Sequence, residues 1–257
     1  MKIAIISDIH VKKTDEESYD FLMRFMSEKK VLESDFIIFL GDIFDLMVGG
    51  HKEYIEYYSE FFEALKLLLM ANKKVFFFEG NHDFHLRSLF SYFLEKNVLD
   101  KSLFSYVSDG ISLKIGEKNY YFSHGDDIEL GNYSYKIYKS IVRSRLLKMV
   151  ANDLFSFSFM QRLGSRVSEN SKQRNSKKYK ESNFNKVIKE KFIRSAEAFY
   201  KRSLPQKRYD YIICGHSHQK EFYKSQEGFY YLNNGFALKT KTFIFIENHS
   251  PEFIKLM

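Results

Sequence analysis

Five times along the chain, an unbroken apolar run ends in a polar loop: IAIISDIH (3–10), FIIFLGDIFD (36–45), KVFFFEGNHD (74–83), NYYFSHGD (119–126) and YIICGHSH (211–218). Runs of β-branched and aromatic residues without alternation are what strands covered on both faces require. Between them the apolar spacing shifts to a helical period. Phe21, Leu22, Phe25 and Met26 fall on one face of a helix over 20–30. A long helix is expected over 53–72, stopped by Asn72 and two lysines, and a short one over 88–97. Further strands are expected over 104–106 and 111–115, the latter closed by a Gly116-Glu117-Lys118 turn, and over 221–224, 229–232 and 243–247. These last three are assigned to a second sheet. The alternation predicts an α/β fold: a four-layer sandwich of two mixed β-sheets flanked by helices.

Residues 131–202 break that alternation. They read as three helical pieces, 134–150, 155–165 and 176–200, inserted as a cap into a core formed by 1–130 and 203–257. Charge separates the two parts. The formal net charge is +7, yet the stretch 131–208 holds 20 Lys and Arg against 5 Asp and Glu, so the remainder of the chain is acidic. Lys136, Lys139, Arg143, Arg145 and Lys148 lie among Tyr138, Ile141, Val142 and Met149, and Phe155, Phe157, Phe159 and Met160 follow. Aromatic and cationic side chains mixed in this way suit an anionic membrane surface or an acyl pocket. Cys214 is the only cysteine, which fits a reducing compartment. Residues 1–7 read as a strand, not a leader, and no apolar run is long enough to span a bilayer. The expected location is cytoplasmic, held at most peripherally at the inner membrane.

Ligand groups of α/β sheets gather at the carboxyl ends of strands. Five such ends bring Asp8, His10, Asp42, Asn81, His82, His124, His216 and His218 to one crevice. Hard oxygen donors mixed with imidazoles suit Mn, with Fe or Zn as alternatives. One carboxylate can bridge two divalent ions in phosphoryl chemistry. Asp8, His10, Asp42 and His218 form one expected set, and Asp42, Asn81, His124 and His216 the other. His82 is positioned to serve the phosphoryl oxygens or the leaving group as a catalytic residue. Asp83 is expected to fix the His82 tautomer. His85 is expected at the surface or the substrate rim.

The order D-x-H, G-D, G-N-H-D, H-G-D, G-H-x-H resembles the calcineurin-like metallophosphoesterases. Residues 165–178 (SRVSENSKQRNSKK) are similar to the S-[RK]-x-x-N-x-x-K cap signature of UDP-2,3-diacylglucosamine diphosphatases, as are GDIFD and GNHDF. That resemblance implies cleavage of a nucleotide-linked diacyl sugar at its pyrophosphate, giving UMP and 2,3-diacylglucosamine 1-phosphate (lipid X) in lipid A biosynthesis. It implies substrate contacts at Asn81, His82, Ser171, Asn175, Lys178 and His216, with Arg174 adding charge for the pyrophosphate. Asn132 stands nearest to where relatives can place an aspartate after H-G-D. No obligate protein partner is expected. The alternatives are a broader metal-dependent phosphodiesterase or nuclease, which the acidic remainder of the chain disfavours, and a binding scaffold, which need not keep eight ligand groups.

Overall fold

A computed structural model of the protein describes residues 1–13, 15–132, 157, 182–204 and 208–256. The first sheet is built on three parallel neighbours that end at the predicted loops: β1 (Lys2–Ile6), β2 (Phe36–Phe39) and β4 (Lys74–Phe78). Next to β4 runs β6 (Phe104–Val107), also parallel. On the other side of β1 lie β12 (Thr242–Glu247) and β13 (Ser250–Lys255), each antiparallel to its neighbour. The second sheet has the order β10 (Lys220–Lys224), β11 (Tyr230–Asn234), β9 (Tyr211–Cys214), β8 (Lys118–Ser123), β7 (Ile111–Ile115). A two-stranded sheet of β3 (Met47–Val48) and β5 (Asp83–Phe84) lies apart from both.

Alternate residues of each central strand are buried on opposite sides. Ile3, Ile5, Ile38, Ile244 and Ile246 meet Tyr120, Phe122, Ile213 and Leu232 between the sheets. Ala4, Ile6, Ile37 and Phe39 pack instead with α1 (Glu16–Ser27), α4 (Ser59–Met70) and α5 (Arg87–Lys96). On the far side Tyr121, Ile212, Cys214 and Tyr231 pack against Phe192, Ala196 and Tyr200 of α6 (Ser182–Arg202). Helix, sheet, sheet, helix is the four-layer sandwich, and burial on both faces explains the unbroken apolar runs.

Three details depart from expectation. β12 belongs to the first sheet, not the second. Its alternation serves either: Phe243 and Phe245 face the helices while Ile244 and Ile246 face the other sheet. The helix over 53–72 is two, α3 (Glu53–Tyr57) and α4, broken at Tyr58 (φ −113°, ψ 45°), whose buried ring packs 4.6 Å from that of Phe44. The helix over 20–30 likewise divides, because Glu28 is extended (φ −63°, ψ 133°) before the short α2 (Lys29–Leu32).

The expected pieces 134–150 and 155–165 lie outside the described residues except for Phe157. That residue is helical, and its ring meets Tyr54 at 5.1 Å and Tyr57 at 5.6 Å on α3. Of the last expected piece, 176–200, the part from Ser182 is present in α6, and 176–181 lie outside the described residues. Among the described residues no helix is long and apolar enough to cross a membrane.

Candidate metal centre

The backbone of the crevice sits in an uncommon region. Asp8, His10, Asp42, His216 and His218 all have φ between 53° and 67°. Left-handed backbone costs an ordinary residue roughly 1–2 kcal/mol, and such strain persists where surrounding bonds over-determine it. Those bonds are present. Asp8 N–H donates to the Gly41 carbonyl at 3.1 Å, and the N–H groups of Ile9 and His10 both donate to that of Asp42 at 3.0 Å. His216 N–H donates to both oxygens of Asp8, at 3.0 and 3.1 Å, which ties the second sheet to the first. Gly80 is obligatory for closeness: a Cβ there would stand 2.2 Å from both N and Oδ1 of Asp42.

The side chains converge as the strand ends predict. Ligand atoms of Asp8, His10, Asp42 and His218 lie within 4.8 Å of one another. Nε2 of His10 is 3.2 Å from Nε2 of His218, which is 3.3 Å from Asp8 Oδ1. Asp42 is buried between the two expected sets. Its Oδ1 accepts from the N–H groups of Asn81 (2.6 Å) and His82 (2.9 Å). Its Oδ2 stands 3.8 Å from Nε2 of His10 and 3.5 Å from Nε2 of His124. The Asn81 amide is 3.0 Å from His216 Nδ1, and the rings of His124 and His216 are 5.1 Å apart.

A divalent cation fits this donor set. Nδ1 of His124 faces the Leu40 carbonyl at 2.9 Å. A carbonyl only accepts, so Nδ1 carries the hydrogen. Nε2 is then left buried without a hydrogen-bond partner, aimed at a carboxylate oxygen. Lone pair faces lone pair unless a cation lies between them. A proton is one answer: burial disfavours the charged His124 ring, but the Asp42 carboxylate outweighs it and raises the pKa to about 10. Burial holds His10 down at about 3, so protons cannot satisfy every member. Divalent ions satisfy both carboxylates and the neutral imidazoles together.

Two expected roles change. Asp83 is fully buried and accepts from the backbone N–H groups of Asp42 (2.9 Å), Ile43 (2.7 Å), Phe44 (3.2 Å) and Gly80 (2.9 Å), so it clamps two ligand loops together. Burial and the adjacent Asp42 charge push its pKa up to about 7, against the pull of those amides. It is the Asp45 carbonyl, 2.7 Å from Nδ1, that sets the His82 tautomer. His85, expected at the surface or the substrate rim, is buried, and its backbone N–H donates to Glu79 at 2.9 Å.

Sequence reading missed three contributors. Asn234, wholly buried at the end of β11, accepts from Ser7 N–H at 3.0 Å and donates to the Ser7 carbonyl at 3.2 Å, which pins the strand end before Asp8. Asn233 donates to the Gly215 carbonyl at 2.6 Å, beside His216. The pair opens an Asn-Asn-Gly step that reads as an ordinary turn. Glu129 lies in the loop after β8 with Oε2 3.3 Å from His216 Nε2, and Asn132 donates to the same oxygen at 2.8 Å. Asn132 therefore lies next to the centre. Ser171, Arg174, Asn175 and Lys178 lie outside the described residues.

Residues 1–220 match the model of the calcineurin-like phosphoesterase family, and the chain belongs to that family. The family match and the Asp/His cluster at the strand ends together support a metal-dependent phosphoesterase, and that cluster is where this chain would hold the metal. Among curated proteins, the chain is 24% identical to a UDP-2,3-diacylglucosamine hydrolase of Blochmanniella pennsylvanica, over 87% of this chain and 82% of that one. It is 21% identical to the protein of the same name from Psychromonas ingrahamii, over 85% and 81% respectively. A solved archaeal phosphodiesterase covers 99% of both chains at 15% identity, with a TM-score of 0.48.

Proposed function

We propose that this protein hydrolyses the pyrophosphate of a nucleotide-linked diacyl sugar, UDP-2,3-diacylglucosamine, to UMP and 2,3-diacylglucosamine 1-phosphate. The observation that carries the hydrolytic reading is the placement of Asp42 Oδ2 within 4 Å of imidazoles from both ligand sets. The substrate reading is supported by the relatives named UDP-2,3-diacylglucosamine hydrolase and by the basic, Phe-rich segment 131–202. Asp8, His10, Asp42 and His218 would hold one divalent ion, and Asp42, Asn81, His124 and His216 a second, with Mn favoured. Ions bound there supply charge against the phosphoryl oxygens and lower the pKa of water.

The chain's own residues do the rest. His82, its Nδ1 hydrogen held by the Asp45 carbonyl, is oriented so that Nε2, when the ring is protonated, would donate its hydrogen to the leaving-group oxygen. Asp83 keeps the loops bearing Asp42 and His82 in register. We place Ser171, Arg174, Asn175 and Lys178 against the substrate phosphates, Asn132 at the sugar or nucleotide side, and Asn81, His82 and His216 where the substrate meets the metal ligands. We take 131–202 as a cap whose last helix, α6, is seated on the second sheet and whose remainder accepts the acyl chains while the protein rests on the anionic inner-membrane surface from the cytoplasm. Nucleic acid is the disfavoured polyanion, since the basic segment is set in an otherwise acidic chain.

The test is turnover of UDP-2,3-diacylglucosamine with Mn²⁺ and with chelator, products identified by mass. UMP and the sugar phosphate, formed only with metal, are expected. Turnover of a small chromogenic phosphodiester alone would replace this reading with that of a broad phosphodiesterase.

A further inference from the structure

We infer that Glu129 is a positioning residue for the metal centre: its carboxylate holds His216 in the tautomer whose Nδ1 lone pair faces Asn81 and the second ion. The inference rests on the metal reading above and adds a residue to it.

The His216 ring is gripped at both nitrogens. Nδ1 is 3.0 Å from the Asn81 amide and Nε2 is 3.3 Å from Glu129 Oε2. A carboxylate opposite an imidazole nitrogen accepts a hydrogen bond from its N–H, which leaves the lone pair on the other nitrogen. A histidine that binds metal through one nitrogen needs its second nitrogen directed in this way. Glu129 is itself buried and doubly anchored, by Asn132 at 2.8 Å and by the ammonium of Lys191 on α6. The same helix turn contributes Ser195, whose hydroxyl accepts from Leu130 N–H at 3.0 Å, and Phe192, whose ring lies 5.9 Å from that of His216. The aim of His216 is thereby set by Glu129, 87 residues away along the chain, braced by the helix that closes the basic segment.

Mn²⁺ titration of metal-free protein, followed by electron paramagnetic resonance, tests this. Glu129→Ala is expected to weaken one of two Mn²⁺ ions by about 10–100-fold, leaving the other bound and replacing the spin-coupled signal with an isolated one. Glu129→Gln keeps an oxygen acceptor for the Nε2 hydrogen and is expected to recover most of that loss. Two ions bound by Glu129→Ala as tightly as by the wild type would overturn the inference, as would equal losses in both variants. Should Glu129→Ala fail to fold, Glu129→Asp, one methylene too short to reach His216, takes its place with the same expected loss, and wild-type affinity there overturns the inference. A wild-type protein that binds no Mn²⁺ sinks the metal reading as well. Two tight ions unaffected by position 129 sink only the present inference.

Discussion

Oδ2 of Asp42 stands 3.5 Å from Nε2 of His124, an imidazole whose other nitrogen is already committed to the Leu40 carbonyl. Both groups are buried, and neither can turn away to find water. On its other side the same oxygen faces His10 at 3.8 Å. One carboxylate is thus shared by histidines from opposite sheets. Asp42→Ala should reduce hydrolysis to the level of chelator-treated wild type, with the far-ultraviolet circular dichroism unchanged. Near-normal turnover by this variant would remove Asp42 from the bridging position.

Gly80 and Asp42 approach too closely for any side chain at position 80. A Cβ would meet Asp42 N and Oδ1 at 2.2 Å and Asp83 Oδ1 at 2.8 Å. Gly80→Ala should destabilise the protein by about 1–3 kcal/mol and displace Asp42, so Mn²⁺ affinity should fall with it. Urea unfolding midpoints and metal titration measure the two effects. A variant with unchanged metal affinity would show that the loop can shift without moving the carboxylate.

Asn234 bonds both backbone groups of Ser7 in a site closed to water. Asn234→Ala leaves those groups unpaired, at a cost of about 1–3 kcal/mol. Because Asp8 is the next residue, the first ion set should weaken as well. Calorimetric unfolding with and without Mn²⁺ separates the parts: the gap between wild type and variant should widen when metal is present.

Glu129 gives the protein an acid limb. Burial pushes its pKa up, but His216, Lys191 and Asn132 outweigh burial and hold it at about 2. A carboxylate held low in the folded state adds stability above its unfolded pKa, and that stability is lost as pH falls toward the folded value. Between about pH 4.5 and 2 the wild type should therefore lose at most about 1.4 kcal/mol per pH unit from this group, a loss absent from Glu129→Gln. Denaturant midpoints at pH 7, 5, 4 and 3 should bring the two proteins together on the acid side. Parallel curves would mean that Glu129 is not held low.

Much of the centre was legible in the chain alone. A strand buried on both faces has no room for polar residues, so the first polar residue after each apolar run marks where the sheet ends and chemistry can begin. Asp8, His10, Asp42, Asn81, His124, His216 and His218 are expected at those ends, and the structure places their side chains in one crevice. The layers were legible for the same reason.

Other features were decided only by folding. Which sheet β12 joins depends on its neighbour, because a strand apolar on both faces suits either sheet equally. The partner of the Asp83 carboxylate could not be read, since four amides outcompete one imidazole only once the Asp42 and Gly80 loops meet. Asn234 and Glu129 look like ordinary turn and loop residues, and they matter because distant segments place Ser7 and His216 beside them. The sequence by itself determined the donor atoms and the strand ends that present them, through local periodicity and chemical type. Tertiary structure decided how each donor is aimed, because the hydrogen bonds that orient a ring or carboxylate come from wherever the chain happens to return.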